Sequence, residues 1–326
     1  MFTYRSLFKK AWNIVWNYKH LWFFGLFASL LIGGGAWEYQ VLTESLNQNF
    51  LNESTMSFGG LVSMGIFLRT LFLGFVDLFS YDFLTIINSL SIIIISFIFL
   101  AIVVWLAAVS QAVLISNVKK INDSKKEVDC GISAGLSEAQ SFFWPVILIN
   151  FIARVVVAAL LFIAGFPLLL INLKDSGLMA VTYLVLFVIF IPVSLGLSLI
   201  AKYAIAYKVL DYKSSVAAIE HGFRLFVKNW LVSLETVISL FIISFLCSGL
   251  TVTVLLILLL PWLVLGVLFK LYWLIISLII ITIVIVAIIG AALTTFQTAV
   301  WTGLFLRLKD RGALAKLERI FGGSMR

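Results

Sequence analysis

The sequence predicts an all-α polytopic membrane helix bundle of about six transmembrane helices, with three interfacial amphipathic helices in a threefold internal repeat. Of the 326 residues, 63% are hydrophobic and only 12% are charged, whereas soluble domains are about 45–50% apolar and about 25% charged. The apolar residues form runs of membrane-spanning length, and basic residues cluster between these runs. We therefore expect residues 1–326 to form a single integral membrane domain.

The spans follow from the length of the apolar runs. A helix needs about 20 apolar residues to cross a hydrocarbon core roughly 30 Å thick. Several of the runs are longer than that, which indicates tilted helices or helices that project past the headgroups. The six candidate spans are 20–37, 84–115, 143–172, 178–202, 230–259 and 272–305.

Basic residues are distributed unevenly around these spans. Four precede the first span, four follow the second, five lie between the fourth and the fifth, and six follow the sixth, so nineteen of the 23 Lys and Arg residues share one side. Because positive residues are retained in the cytoplasm, six crossings place both termini there, including a cytoplasmic tail at 313–326. The predicted location is the inner (plasma) membrane of a bacterium.

Two further apolar segments bear on the number of crossings. Residues 61–79 carry Arg69 and Asp77, and a crossing there would export the lysines that follow the second span. We interpret this segment as interfacial or re-entrant on the outer side. Residues 250–269 contain Pro261. If this segment formed a separate crossing, the basic C-terminal tail would lie outside the cell. Two long helices joined by an apolar bend from Pro261 to Lys270 are expected instead.

The chain repeats one pattern, with pseudo-repeats of about 1–122, 123–213 and 214–312. Each contains a segment of mixed polarity that predicts an interfacial helix and runs into a tryptophan at the membrane boundary: Trp22, Trp144 and Trp230. An outward helix and a return helix follow. Each return helix leaves the membrane through a basic tail, with the sequences AVLISNVKKIND, AIAYKVLDYKSS and GLFLRLKDRGAL. Self-similarity of this kind indicates a repeat architecture.

The third interfacial segment shows an amphipathic pattern. Apolar residues recur at steps of three and four: Val216, Ile219, Phe223, Phe226 and Val227. Charged residues fall on the other side: Glu220, Arg224 and Lys228. We expect this helix to lie flat at the headgroups with its basic residues toward anionic lipid, where it either anchors the bundle or also senses lipid. The other predicted interfacial anchors are tryptophans, namely Trp12, Trp16, Trp22, Trp144 and Trp230.

Two ionisable residues fall inside predicted spans, where a charge costs energy that a partner must offset. Arg154 lies ten residues past Trp144, roughly 15 Å deep, and Glu235 lies five residues past Trp230, roughly 7–8 Å deep. An extended arginine side chain can cover that difference. Together with Asn150 these residues form a candidate intramembrane polar site. It is either a substrate or proton site, a structural ion pair, or an arginine that snorkels to a lipid phosphate.

Other kinds of site are not predicted. His20 and His221 are the only histidines, and no His, Cys or carboxylate cluster has the spacing of metal ligands. No glycine run leads into a Lys-Ser/Thr phosphate loop, and no aromatic and basic patch suggests nucleic acid. Cys130 and Cys247 are too few and too differently placed for a disulfide framework. We therefore expect no cofactor, no metal and no nucleic-acid partner.

Two stretches carry a resemblance to a known family. AWNIVWNYKHLWFFGLFASLL near the start and AAIEHGFRLFVKNWLVSLE before the fifth span each combine an amphipathic helix, a Lys-His or Lys-Asn element beside tryptophan, and an apolar helix. The chain resembles a broad group of poorly characterised bacterial multi-pass membrane proteins, and is similar to the membrane domain associated with glycerophosphoryl diester phosphodiesterases. The sequence lacks the catalytic barrel that some relatives attach, so the resemblance implies no hydrolase activity.

The expected function follows from this organisation. We expect a non-enzymatic integral membrane scaffold or accessory protein that contacts anionic phospholipid, protein partners or a second copy of itself. The alternative is a transporter or lipid-handling protein with a polar site around Arg154 and Glu235. A water-accessible polar cavity reaching Arg154 would favour the alternative, and a dry, packed bundle would favour the scaffold. The sequence shows no set of nucleophile, base and metal ligands, so an enzyme is not the expected class.

Overall fold

The computed structural model describes residues 4–32, 83–123, 132–170 and 176–311, and within these ranges the chain is almost entirely α-helical, without a β-strand. One turn of 3-10 helix, Gln140–Phe142, joins α4 to α5. The described helices are α1 (Tyr4–Asn17), α2 (Leu21–Ile32), α3 (Phe83–Asp123), α4 (Ile132–Ala139), α5 (Phe143–Leu170), α6 (Ser176–Asp211), α7 (Ser215–Lys228), α8 (Trp230–Leu268) and α9 (Tyr272–Arg311). The segment 61–79, Cys130 and the tail 313–326 lie outside the described residues.

Five of these stretches are long and apolar enough to cross a membrane, which confirms the all-helical class and the membrane-spanning lengths expected from the sequence. They are Leu90–Asp123, Gly135–Leu160, Val188–Asp211, Trp230–Leu268 and Tyr272–Asp310, and they coincide with the second to sixth predicted spans. Of the first predicted span the structure describes α2, an apolar helix of 12 residues. The sixth crossing therefore stays a prediction.

The three segments predicted to be interfacial are helical in the structure: α1, α4 with its 3-10 turn, and α7. The start of α7 shows why the chain turns there. Tyr212 has a φ of 54°, and Ser214, in an extended conformation, accepts a hydrogen bond from the Ala217 amide at 3.3 Å. This side-chain cap satisfies one of the amides that a helix start leaves unpaired.

The chain contacts divide the protein into two compact units. Unit 1 comprises Met1–Leu31, Ala107–Ile149 and Leu199–Arg326, and unit 2 comprises Ile32–Leu106 and Asn150–Ser198. Unit 1 contains α1, α4, α7, α8 and α9 in full, nearly all of α2, the first residues of α5 and the C-terminal segments of α3 and α6. The described part of unit 2 consists of the remaining segments of α3, α5 and α6. The prediction of a single integral membrane domain is untested.

The C-terminal segments of α3, α6 and α9 form the core of unit 1. Residues 107–118, 199–210 and 294–308 are mostly buried, whereas residues 92–102 of α3 and most of 272–290 of α9 are exposed or half-buried. Small residues recur in the buried segments, among them Ala112, Ala204 and Ala299. Small side chains let helix backbones approach closely, which is the main source of packing between apolar helices in lipid.

Helices α8 and α9 form a long hairpin within unit 1. They contain 39 and 40 residues, or about 60 Å each at 1.5 Å per residue. The turn between them begins at Phe269, because Lys270 has a φ of 55° and the Leu271 amide donates to the Gly266 carbonyl at 2.8 Å. This is a Schellman-type helix end. Two long helices joined by a bend from Pro261 to Lys270 were expected; the turn lies at the C-terminal end of that range, because α8 continues through Pro261 to Leu268.

Candidate functional site

The residues of the predicted intramembrane polar site fall in two units. Asn150 and Arg154 lie on α5 in unit 2, and Glu235 lies on α8 in unit 1. Arg154 is exposed beside the exposed apolar residues Phe151 and Val155, whereas Asn150 and Glu235 are half-buried. All three residues take part in interactions. The pairing of Arg154 with Glu235 stays a prediction.

Four of the five tryptophans predicted as interfacial anchors are exposed: Trp12, Trp16, Trp144 and Trp230. Trp144 is the most exposed of them, at 75%. Trp22 differs, because it is half-buried and its indole nitrogen donates to the Val15 carbonyl at 2.9 Å. Its ring also packs edge-on against Trp16. Trp22 therefore stabilises the turn between α1 and α2. The sequence pattern does not reveal these contacts.

Helix α7 has three faces instead of the two that the sequence predicts. The face that packs into unit 1 is made of small and medium residues: Ala218, Gly222 and Leu225. A second face leaves apolar side chains exposed: Val216 (79%), Phe223 and Val227. The third face carries the exposed basic residues Arg224 and Lys228, with Arg224 paired to Glu220 at 2.5 Å. The apolar stripe named in the sequence analysis is therefore largely free to enter lipid, because a different stripe holds the helix to the protein.

Helix α1 is built in the same way. One face of α1 is buried over three successive turns, at Leu7, Ala11 and Val15. Trp12 and Trp16 are exposed on a neighbouring face, and Trp12 packs edge-on against Phe296 of α9. The basic residues beside this stripe are also exposed: Arg5, Lys9 and Lys10. Both α1 and α7 therefore leave an apolar stripe exposed beside cations.

A polar and aromatic cluster in the core of unit 1 was not identified from the sequence. Tyr203 is 1% exposed, and its hydroxyl lies 2.7 Å from the hydroxyl of Ser233 on α8. Ser233 uses its own proton on the Asn229 carbonyl at 2.9 Å, so the Tyr203 hydroxyl must donate to Ser233. The ammonium of Lys202 lies 4.9 Å from the ring centroid of Trp301, a cation–π contact. The cluster ties α6 to α8 and α9.

A second group of contacts continues this cluster toward the ends of α6 and α9. The ring of Tyr207 packs edge-on against Phe305 at 4.8 Å and lies 5.6 Å from the ring of His221 on α7. Asp211 accepts a hydrogen bond from Lys309 at 2.6 Å. The sequence pattern assigns no partner to His221 or to Lys309. The partners of these residues lie on other helices, so the contacts cannot be inferred from spacing along the sequence.

These contacts hold helices together and assemble no recognisable reactive centre. A nucleophilic serine needs a base within about 2.6–3.2 Å, but Ser233 bonds to a tyrosine hydroxyl and a backbone carbonyl. Among the described residues no group of three or more His, Cys, Asp and Glu side chains could hold a metal ion. The cleft between α3 and α4, lined by Asn117, Gly135 and Glu138, is too narrow for a water molecule. The arrangement can therefore fix helices against one another and present their outer faces.

The comparisons with known proteins add no relative to this description. No family model matches the chain, no curated protein matches it, and no solved structure matches it. The resemblance to the membrane domain of glycerophosphoryl diester phosphodiesterases therefore stays a prediction that depends on the two sequence stretches quoted above.

Proposed function

We propose that this protein is a non-enzymatic scaffold or accessory protein of the bacterial inner membrane, which binds anionic phospholipid at its cytoplasmic face and holds partner proteins or a second copy there. One observation carries the proposal. In both α1 and α7 a stripe of small and medium apolar residues packs into unit 1, while another apolar stripe bordered by exposed cations is left outside. Helices of this kind bind the headgroup region of anionic membranes.

The proposed topology has six crossings and both termini in the cytoplasm. The supporting evidence is that the basic ends share contacts, since Lys10 of α1 bonds to Asn122 near the end of α3 and Lys309 near the end of α9 bonds to Asp211 of α6. Retention of these residues in the cytoplasm requires an even number of crossings. The first crossing is α2 with the residues that follow it.

The threefold repeat is part of the same proposal. Its support is that the C-terminal segments of the three return helices, α3, α6 and α9, occupy the same kind of environment, since 107–118, 199–210 and 294–308 are all mostly buried. An amphipathic helix accompanies each tail, and the three tails meet in one unit. Repeats of one supersecondary unit that bury a shared core behave in this way.

A scaffold is favoured over a transporter by where the polar side chains of unit 1 go. The hydroxyls of Thr295, Thr298 and Thr236 bond to carbonyls of their own helices, and Gln297 bonds to Ser244 of α8 at 2.9 Å. These groups spend their hydrogen bonds on protein partners. A transport path instead needs polar groups directed at a solvated route.

The lipid-binding part of the proposal is tested by charge removal. A triple variant removes three of the exposed lysines: Lys9→Gln, Lys10→Gln and Lys228→Gln. It should purify from mixed vesicles with a lower ratio of phosphatidylglycerol to phosphatidylethanolamine than the wild-type protein. Lys270→Gln, in the α8–α9 turn, removes a charge on the predicted outer side and shows whether loss of a lysine away from α1 and α7 changes the ratio. An unchanged ratio in the triple variant would contradict anionic lipid binding by α1 and α7.

The choice between scaffold and transporter is tested by water access to position 154. In a background with Cys130→Ser and Cys247→Ser, Arg154→Cys and Asn13→Cys are treated with an impermeant maleimide in inside-out vesicles. We expect labelling at position 13, which is exposed on α1, and none at position 154. Labelling at 154 would show a water-accessible route and favour the transporter. With native cysteines, labelling of Cys130 from outside intact cells would refute the topology.

A further inference from the structure

We propose that the ends of α3, α6 and α9 carry three equivalent helix-binding grooves, and that α1, the first helix, fills the groove of α9, the last return helix. The threefold repeat is then closed in a cycle. This inference rests on the repeat proposed above, but not on lipid binding or scaffolding. The ligand class of each groove is an amphipathic helix with a stripe of small or slender side chains.

The first support is the closeness of three helix pairs. A Cβ added at Gly135 of α4 would lie 3.0 Å from a methyl of Val113 on α3. One added at Gly222 of α7 would lie 2.8 Å from the Ala204 amide nitrogen on α6. In the third pair the glycine is on the return helix, since a Cβ at Gly303 of α9 would lie 3.2 Å from a methyl of Leu7. Each return helix therefore accepts one amphipathic helix at close range.

The second support is register. The three repeated tails quoted in the sequence analysis begin at Ala112, Ala204 and Gly303. The close approaches on the return helices involve Val113, Ala204 and Gly303. Two therefore lie at the same repeat position, and the other lies one residue later. Because the grooves sit at matching positions, they are explained by the repeat more simply than by three unrelated contacts.

Each groove also has a second contact farther along its return helix. In the first, Lys120 of α3 pairs with Glu138 of α4. In the second, the Tyr207 ring of α6 lies 5.6 Å from the His221 ring of α7. In the third, the guanidinium of Arg307 donates to the Ser6 hydroxyl at 3.3 Å. The chemistry of these contacts varies, and so does their distance from the close approach, but each joins a return helix to the helix that packs on it.

The third support is the way in which these helices reach the next return helix. Phe142, which follows α4, packs 5.4 Å from Tyr212 at the end of α6. Lys10 of α1 donates to Asn122 near the end of α3 at 3.4 Å. Thus α4 links the first return helix to the second, Asp211 and Lys309 join the second directly to the last, and α1 links the last to the first. Such a link from the end of the series to its beginning is what a closed cycle requires.

Cross-linking in the intact chain tests where α1 docks. In the cysteine-free background described above, Leu7→Cys with Gly303→Cys should form an intramolecular cross-link with a short bifunctional thiol reagent. Asn13→Cys with Gly303→Cys is the control, because Asn13 is exposed on α1. A cross-linked species that migrates as a dimer, or equal yields for both pairs, would overturn docking of α1 on its own α9.

Helix exchange tests whether the grooves are equivalent. Helices α1 and α7 both contain 14 residues, so the α7 sequence Ser215–Lys228 can replace Tyr4–Asn17 without changing the chain length. The control insert has the α7 composition in scrambled order, which removes the small-residue stripe. We expect the α7 chimera to retain at least half of the wild-type yield of monodisperse protein, and the scrambled chimera to lose most of it. Equal losses would overturn equivalence, while the lipid ratio of the unexchanged protein would still test the proposed function.

Discussion

Substitution of Gly222 by alanine separates close packing of α7 on α6 from helix propensity. A Cβ there would lie 2.8 Å from the Ala204 amide nitrogen and 3.1 Å from the Ile200 carbonyl oxygen. These atoms are the two ends of one backbone hydrogen bond of α6, so no flexible side chain can move aside. Helix α7 would have to withdraw from α6.

The magnitude follows from two opposed effects. Alanine is favoured over glycine in a helix by about 0.8–1 kcal/mol, whereas overpacking of a tight contact costs about 1–3 kcal/mol. We expect a net loss of about 1 kcal/mol for Gly222→Ala. Gly249→Ala on α8 and Gly290→Ala on α9 are matched controls, because a Cβ at either position has no neighbour within 4 Å. The controls should be neutral or stabilised by up to about 1 kcal/mol.

The assay is the temperature at which half of the detergent-solubilised protein loses its monodisperse size-exclusion peak. A change of 1 kcal/mol shifts an unfolding midpoint by about 2–4 °C in chains of 150–250 residues. Gly222→Ala should therefore fall several degrees below both controls. If all three variants move by the same amount and in the same direction, the close approach of α7 to α6 is refuted.

Three further predictions use the same assay. Ser233→Ala should destabilise more than Tyr203→Phe, by about 1–3 against about 0.5–1.5 kcal/mol, because it leaves the buried Tyr203 hydroxyl without an acceptor; the reverse order would contradict the assigned donor. Glu220→Gln should cost no more than about 0.5 kcal/mol, because its partner Arg224 is exposed; a shift of many degrees would show that the pair is structural. Asn117→Leu should be neutral or stabilising, because the buried Asn117 amide nitrogen has no hydrogen-bond partner among the described residues; a loss above about 2 kcal/mol would show that the amide is needed.

Helix α7 shows which structural features can be predicted from the sequence and which cannot. Its periodicity correctly predicts a helix between the fourth and fifth spans, and its apolar stripe is largely exposed. The periodicity does not show that Ala218 and Gly222 face the protein, because a helix with two apolar stripes and one charged stripe has no single inward direction. Only the position of α6 decides which stripe is covered.

The candidate sites differ in the same way. Arg154 and Glu235 could be selected from the sequence, because a charge inside an apolar run is unusual wherever it points. Lys202 and Tyr203 could not, because the end of a span is an ordinary place for a lysine and a tyrosine. Their importance depends on Trp301 and Ser233, which approach them from α9 and α8.

The sequence by itself determined the helical class, the presence of apolar helices of membrane-spanning length and the sites of the three amphipathic ones. These features depend on composition and on periods within a few turns, since an apolar chain in lipid must satisfy its backbone locally. The tertiary structure alone decided which faces meet, where glycine is needed, and that α1 packs on α9 across 301 residues between Ser6 and Arg307. Contacts at that separation are set by the shape and chemistry of two surfaces, and neither surface is encoded in the local pattern of the other.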